Sequence, residues 1–322
     1  MAFWPRSLRE LGTLIVGGNL PWLDHPKFRA IRDETLAQFR AKDVHFRKVK
    51  SVIFLCGAAQ SSRRDRLAQY LKKQWAEDVL VFYADDVWPV IAGRPGLNAL
   101  QMERELASLS DLVLIVVESA GTFAELGAFS LSDPLRRKLL PLVDVKYRND
   151  PSFINTGPIK WIDDDSLFGP TIWVDHNSIL TAVPEIDDRM SRLPPRTSAR
   201  VLDLAASPKH LVFFICDVVS VFGPCPTKHV EFYVQQTLQS APSVDTSSLV
   251  ALAKAMGLIC EVPGPTGIAF YYRPLTNGTL QSFQQKKYLE LPVLRARVLS
   301  VLQSIKAGGE ALQAIGSNHA AR

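Results

Sequence analysis

Long apolar runs alternate with amphipathic segments over much of the chain, and the clearest is Leu112 to Glu118 (LVLIVVE). It is aliphatic and β-branched up to its last residue, as a strand buried on both faces of a parallel sheet must be. Ser119, Gly121 and Thr122 then supply a tight turn. Helical spacing resumes from Phe123 to Phe129, which places Glu125 in the first helical turn. Four further runs read as strands: Val52 to Cys56, Val79 to Tyr83, Lys138 to Val143 and Thr171 to Val174. A helix from about Ser61 and another from Leu97 to Leu109 separate them. Strand and helix alternating from Ser51 to Val174 predict an α/β domain, a doubly wound parallel sheet in flavodoxin-like order.

The flanks have a different character. Residues 1–50 form a polar, proline-containing lead-in whose Asp33 to Phe46 portion has the spacing of one amphipathic helix. Pro184 to Pro208, including SRLPPRTSAR, reads as a linker. Beyond it, helices are predicted at Lys209 to Phe222, Thr227 to Leu238 and Asp245 to Met256, the last capped by Asp245 or Thr246. Strands at Ile259 to Val262 and Ile268 to Arg273 follow around the turn PGPTG. Three helices and then a hairpin is the order of a winged helix. The expected divisions are therefore a helical lead-in (1–50), an α/β domain (51–183), a linker (184–208), a winged-helix domain (209–290), and a C-terminal helix and tail (291–322).

Composition narrows the class. With 322 residues, 47% of them hydrophobic, the chain can bury an ample core and is not a disordered chain. The net charge of +5 is mild, and the basic excess shows early, at Arg29, Arg32, Arg40, Lys42, Arg47, Lys48 and Lys50. Such a face suits a polyanion as well as plain solvation. Cys56, Cys216, Cys225 and Cys260 show no CxxC spacing, so neither a zinc site nor a disulfide framework is indicated. The most apolar run, Leu211 to Phe222, is shorter than the roughly 18 residues a membrane span needs and contains Asp217. It reads as a core helix. The N-terminal sequence lacks the ordered regions of a signal peptide, and a cytoplasmic location is expected.

Candidate chemistry gathers where strands end. In open α/β sheets the carboxyl edge of the strands is where ligands bind. Glu118 follows an apolar strand and needs water, a partner or a ligand. Glu125 is either aimed at a ligand or closes a capping box with Thr122. Asp111 and Glu118 lie seven residues apart, at opposite ends of one strand, so a straight strand keeps one of them out of any shared pocket. Gly57 and Ala58, between the first strand and its helix, form a cradle for anionic or ribose groups, with Arg63 and Arg64 placed for phosphate or for solvent. Asp85 and Asp86, just past the strand Val79 to Tyr83, suit ribose hydroxyls or a cap. SFINTGPIKWIDDD reads as a loop broken at Gly157-Pro158, and Asp163 to Asp165 as a solvated turn, with no ligand spacing for a metal. The third C-terminal helix offers only Lys254 as a cation, so protein docking competes with nucleic-acid contact there.

The run DLVLIVVESAGTFAELGAF (Asp111 to Phe129), together with FLCGAAQSSRRDRL, ADDVW and SFINTGPI, resembles the nucleoside-deoxyribosyltransferase-like effector proteins of bacterial retron defence systems. The similarity covers most of the chain, with Ala120 where many relatives carry proline. It implies a deoxyribosyltransferase-like α/β domain followed by a winged helix. It also implies Glu125, in the ELG segment, as nucleophile, Asp111 as the acid assisting at the base and Glu118 near the sugar, although the spacing of Glu118 to Glu125 differs by one residue. Substrate contacts are expected at Gly57, Ala58, Arg63, Asp85, Asp86, Ser119, Gly121 and Thr122. The implied activity is cleavage of the N-glycosidic bond of a nucleotide or NAD without cofactor or metal, as a toxin that arrests phage-infected cells. The implied partners are a retron reverse transcriptase and its msDNA, which hold the toxin inactive, and a homo-oligomer or larger assembly is compatible with the resemblance. A nucleoside deoxyribosyltransferase and a non-catalytic, nucleotide-sensing DNA-binding regulator are the alternatives.

Overall fold

The computed structural model describes residues 22–41, 44–48, 50–83, 107, 109–195, 198–200, 204, 207–238, 245–264, 268–273, 281–284 and 291–320. In chain order, helix α1 (Pro26–Phe39) leads to strand β1 (His45–Lys48). Next come β2 (Ser51–Cys56), α2 (Ser62–Gln74), β3 (Val79–Tyr83), β4 (Leu112–Val117), α3 (Ala120–Ser130), α4 (Asp133–Arg136) and β5 (Leu139–Asp144). A 3-10 turn (Val145–Tyr147) and a π turn (Asn155–Ile159) precede α5 (Lys160–Asp165) and β6 (Ile172–Val174). A second 3-10 segment (His176–Ala182) runs into α6 (Val183–Met190) and β7 (Ser198–Arg200). The remainder is α7 (Pro208–Phe222), α8 (Thr227–Leu238), α9 (Thr246–Ala255), β8 (Cys260–Pro263), β9 (Ala269–Tyr272), β10 (Gln281–Gln284), α10 (Leu291–Gln303) and α11 (Lys306–Ala320).

Five parallel strands make the central sheet, in the order β3-β2-β4-β5-β6. Counted among themselves this is 2-1-3-4-5, the flavodoxin-like order expected from the alternation. The strands are apolar apart from residues at their ends, such as Ser51 and Asp144, because both faces are covered. Val113, Ile115 and Val117 of β4 join Val52, Phe54, Leu139 and Val143 in one core. Leu112, Leu114 and Val116 join Ile53, Leu55, Leu140 and Leu142 in the other. The first core takes in Leu126 and Phe129 of α3 and continues into α7 at Val212 and Phe213. The second takes in Leu67 and Leu71 of α2 and Ile186 of α6. A leucine removed from water this completely stabilises the fold by about 1.5–3 kcal/mol.

Downstream, α7, α8 and α9 precede the antiparallel hairpin of β8 and β9, close to the predicted boundaries, and Asp245 caps α9 by accepting from the Ser248 N–H. α7 is buried from His210 to Val219. Phe222 stacks on Tyr233 of α8 with ring centroids 4.2 Å apart.

Four expectations fall differently. The lead-in helix starts at Pro26 and stops at Phe39, because proline suits a first turn, and Phe46 and Arg47 then alternate between buried and exposed as a strand requires. α1 packs on α8 and α10, where Glu34 takes a bidentate ion pair from Arg297 at 2.8 and 2.6 Å. SFINTGPIKWIDDD is helical rather than a loop, since the widened π turn takes up the Pro158 ring that a regular helix rejects. The stretch expected as a linker carries most of α6 and all of β7. The acidic trio is also less solvated than a turn, for Asp163 accepts from the Thr171 N–H and hydroxyl at 2.6 Å and Asp165 pairs with Arg136 at 2.7 Å.

Candidate active site

The order of the sheet reverses between β2 and β4, and at such a switch point the loops leaving the carboxyl ends turn to opposite sides, which is where open α/β sheets form a ligand crevice. Gly57 and Ala58 leave β2 there, and Glu118 and Ser119 leave β4. Glu118 bridges the two exits. Its Oε1 accepts from the Ala58 N–H at 3.1 Å and its Oε2 from Arg63 Nη1 at 2.8 Å, with the side chain only 4% exposed. Burial alone raises the pKa of this carboxyl. Hydrogen bonds from Ser61, Arg63 and Ala58 and the guanidinium charge outweigh it, and the group lies below its usual range. Glu118 is therefore an ionised clasp. The backbone comes close enough because residue 57 is glycine: a Cβ there would meet Arg64 Cδ at 2.9 Å.

Arg63 continues the clasp, its Nε donating to the His176 carbonyl at 2.6 Å. His176 itself is 6% exposed, with Nε2 buried and lacking a hydrogen-bond partner. Desolvation lowers its pKa and so favours the neutral ring, outweighing the nearby Asp144 charge, which acts the other way. Asp144, at the end of β5, accepts from the Lys146 N–H at 3.2 Å and pairs with Lys146 Nζ at 3.2 Å. Burial raises its pKa, and the contacts with Lys146 more than reverse that. Neither His176 nor Asp144 was among the sequence candidates. Their signal was a polar residue at, or two positions past, an apolar run, the feature that drew attention to Glu118.

α3 begins at the crevice. Ser119 is its N-cap, its Oγ accepting from the Thr122 N–H at 3.3 Å, while Thr122 Oγ1 accepts from the backbone N–H of Ser119 at 2.9 Å and of Glu118 at 3.0 Å. The capping box is thus Ser119 with Thr122, one turn earlier than the Thr122–Glu125 alternative. Glu125 falls in the second turn, half-buried, with Thr122 at i−3 and Gly121 at i−4. Helical side chains lean toward the N-terminus, so the surface under Glu125 belongs to Gly121, which has no side chain to cover it. A Cβ at Gly121 would meet nothing nearer than Ser119 Oγ at 3.7 Å.

Asp111 is elsewhere. It precedes β4, about 23 Å from Glu118 at the usual rise per strand residue. Its Oδ2 accepts from the Val52 N–H at 2.8 Å and its Oδ1 from Lys209 Nζ at 2.7 Å, and the side chain is 4% exposed. It ties the amino edge of the sheet to the start of α7. The structure thus brings Gly57, Ala58, Arg63, Glu118, Ser119, Gly121, Thr122 and Glu125 to one edge and leaves Asp111 at the other. Asp85 and Asp86 lie outside the described residues.

A family model described as "STM3845 retron effector protein" matches residues 60–261, a stretch holding Arg63, Glu118, Glu125, Asp144 and His176. The chain belongs to this retron effector family. Two relatives from Escherichia coli carry related names. The retron effector is 41% identical over 116 residues to the "Retron Ec86 putative ribosyltransferase/DNA-binding protein", covering 35% of this chain and 37% of that one. It is 38% identical over 126 residues to the "Retron Ec73 putative ribosyltransferase/DNA-binding protein", covering 37% and 40%. The matches span about two fifths of either relative's length or less. Among the effector's described residues, no helix is long and apolar enough to cross a membrane.

Proposed function

We propose that this retron effector breaks the N-glycosidic bond of a nucleotide or of NAD, with Glu125 as the carboxylate that meets the sugar. The observation that carries the proposal is the Ser119–Thr122 capping box. It satisfies the start of α3 without Glu125, which removes helix capping as the reason for a glutamate in this turn. The naming of both relatives as ribosyltransferases supports the same class of chemistry.

In this reading the bond from C1′ to the base nitrogen breaks and its electron pair leaves with the base. Positive charge develops on C1′ and the ring oxygen, and a Glu125 oxygen stabilises or captures it. Water then adds at C1′, any C1′–oxygen bond to Glu125 breaking with its electron pair returning to the carboxylate, and gives its proton to solvent or to Glu125, completing hydrolysis. An acceptor base in place of water would make the same site a transferase. Gly57, Ala58, Ser119 and Thr122 line the crevice for the sugar, with Arg63 at its rim, and Asp85 and Asp86 are assigned to ribose hydroxyls.

Protonation of the leaving base separates the substrate classes. Asp111 is at the far edge of the sheet, and Glu118 is held ionised by its donors. Nicotinamide needs no such acid, because it departs from a pyridinium as a neutral molecule. Of the acids assigned to the base or sugar and lying among the described residues, neither Asp111 nor Glu118 supplies that proton, which favours NAD over an ordinary nucleotide. We assign the protein the role of a toxin that arrests phage-infected cells, held inactive by the retron reverse transcriptase and msDNA, and read α7 to β9 as a winged helix. Incubating the purified chain with labelled NAD and nucleotides tests the chemistry. Free base without an acceptor supports hydrolysis, base exchange only on adding a second base supports transfer, and neither product would leave a nucleotide-sensing regulator.

A further inference from the structure

Four neighbouring strands of the central sheet leave polar groups at its carboxyl edge, and the chemistry proposed above draws on those of β2 and β4 alone. Ala58 lies two residues past β2, Glu118 one past β4, Asp144 at the end of β5 and His176 two past β6. Arg63, in the first turn of α2, reaches across them, since α2 packs on the 3-10 segment that His176 begins. Its Nε donates to the His176 carbonyl at 2.6 Å and its Nη1 to Glu118 Oε2 at 2.8 Å, while Glu118 Oε1 accepts from the Ala58 N–H at 3.1 Å. Two side chains thus tie the exit of β6 to the exit of β2, and the far end of the tie is the backbone of His176. The ring of that same residue is 6% exposed, and its Nε2 is buried without a hydrogen-bond partner.

We propose that His176 is a positioning residue: while its ring is uncharged it holds the Arg63–Glu118 clasp closed from β6 to β2, and protonating the ring releases Arg63. A charged ring adds a donor at Nε2, where the packing offers no acceptor, and sets a second cation beside the guanidinium. An unpaired buried charge is costly, so the ring turns out to water and carries with it its own carbonyl, the partner of Arg63 Nε. Each group that faces the ring bears on the balance. Burial is the largest influence and disfavours the charged form; Asp144 opposes it, Arg63 adds to it, and the Leu142 carbonyl and Glu118 oppose it more weakly. Asp144 is itself paired with Lys146 at 3.2 Å, which blunts its pull on the ring. The neutral form prevails.

Release reaches the crevice through Glu118. Without Arg63 this carboxylate keeps the Ala58 N–H and Ser61 contacts but loses its charged partner, and the loop of Gly57 and Ala58 is no longer braced against the exit of β6. The sugar cradle then loosens, and turnover falls in mild acid, below the ordinary imidazole range. Only this effect on turnover rests on the glycosidase reading; the closing of the clasp does not.

Nuclear magnetic resonance of the full chain over a pH series tests it, with His176→Gln assigning the ring and Arg63→Lys the guanidinium Nε–H. The His176 ring should titrate below the ordinary imidazole value, and the Arg63 Nε–H resonance should move to the position of a free guanidinium with the same midpoint. Asp144→Asn removes a charge that supports protonation, so both midpoints should move together to lower pH. In His176→Gln the Arg63 resonance should show no step over that interval. Base release from NAD gives a second readout: the parent's rate should fall across the same midpoint, that midpoint should follow Asp144→Asn, and His176→Gln, whatever its rate, should lack the limb. Far-UV circular dichroism confirms that each variant is folded. A ring that titrates at or above the ordinary value, or stays neutral until the chain unfolds, overturns the proposal. So does an Arg63 resonance indifferent to the ring's protonation, or midpoints that separate or rise in Asp144→Asn. A parent that releases no base at any pH while both resonances behave as expected overturns the glycosidase reading and upholds the clasp.

Discussion

Asp111→Asn separates a structural acid from a chemical one. In the folded chain the carboxylate is 4% exposed and holds the Val52 N–H at 2.8 Å and Lys209 Nζ at 2.7 Å. Asparagine keeps an oxygen for one of these contacts and loses the charge that both share. Hydrogen bonds to a charged group contribute about 1.5–3 kcal/mol, and removing one member of a buried ion pair costs about 3–5 kcal/mol. The 28% exposure of Lys209 lets water recover part of that, so about 2 kcal/mol of lost stability is expected. Lys209→Met should cost a similar amount. The double variant should cost less than the sum, because the two side chains act on each other. Urea denaturation of the four proteins measures these differences. Turnover measured below the unfolding transition gives the second readout, and it should stay within about threefold of the parent. General acids contribute about 10²- to 10⁴-fold, so a loss of that size in folded Asp111→Asn would refute the placement of this residue outside the chemistry.

Three other changes follow from the same contacts. Glu118→Gln should flatten the acid limb of stability: the folded pKa lies below the unfolded one, so the parent carries extra stability above the ordinary carboxylate range and loses it as pH falls through the folded value. Equal acid limbs in parent and variant, by denaturation at stepped pH, would contradict the clasp. Gly57→Ala should destabilise by about 1–3 kcal/mol and lower turnover, since the new Cβ sits 2.9 Å from Arg64 Cδ, whereas Gly127→Ala, with nothing within 4 Å, should be tolerated. Asp217, 1% exposed inside α7, has its pKa pushed up to about 8 by burial against the opposing Arg273 charge. The unfolded carboxyl ionises first, so the parent loses stability as pH rises from the ordinary carboxylate range toward about 8. Asp217→Asn should remove that slope, and a variant that still weakens with rising pH would show that the slope has another source.

Much of the fold was readable because burial on both faces writes itself as unbroken apolar runs. β2, β3, β4, β5 and β6 all lie within a residue or so of the runs that predicted them. The sheet of β1, β7 and β10 was not readable. Strands of three or four residues are too short to show a period, and their partners lie far along the chain. The helix at Lys160–Asp165 was hidden by Gly157-Pro158, a pair that ends most helices but here sits in a π turn. At the site, the strand-to-helix corner and Glu125 were visible, and the seven-residue gap already implied that Asp111 and Glu118 part company. The start of α3 was misplaced by a turn because Ser119 and Thr122 are both good caps, and sequence does not say which one leads. Arg63 was visible as a cation, but its grip on Glu118 and the His176 carbonyl depends on partners 55 and 113 residues away. No local pattern encodes those.

Release of free base by purified Glu125→Gln, followed beside the parent by chromatography on NAD and on the common nucleotides, tests the central claim most directly. The account predicts that the parent frees nicotinamide or another base without any added acceptor, and that the folded variant falls by at least about a hundredfold, as loss of the group that meets the developing sugar cation requires. A folded Glu125→Gln protein that releases base at the parent's rate would contradict it.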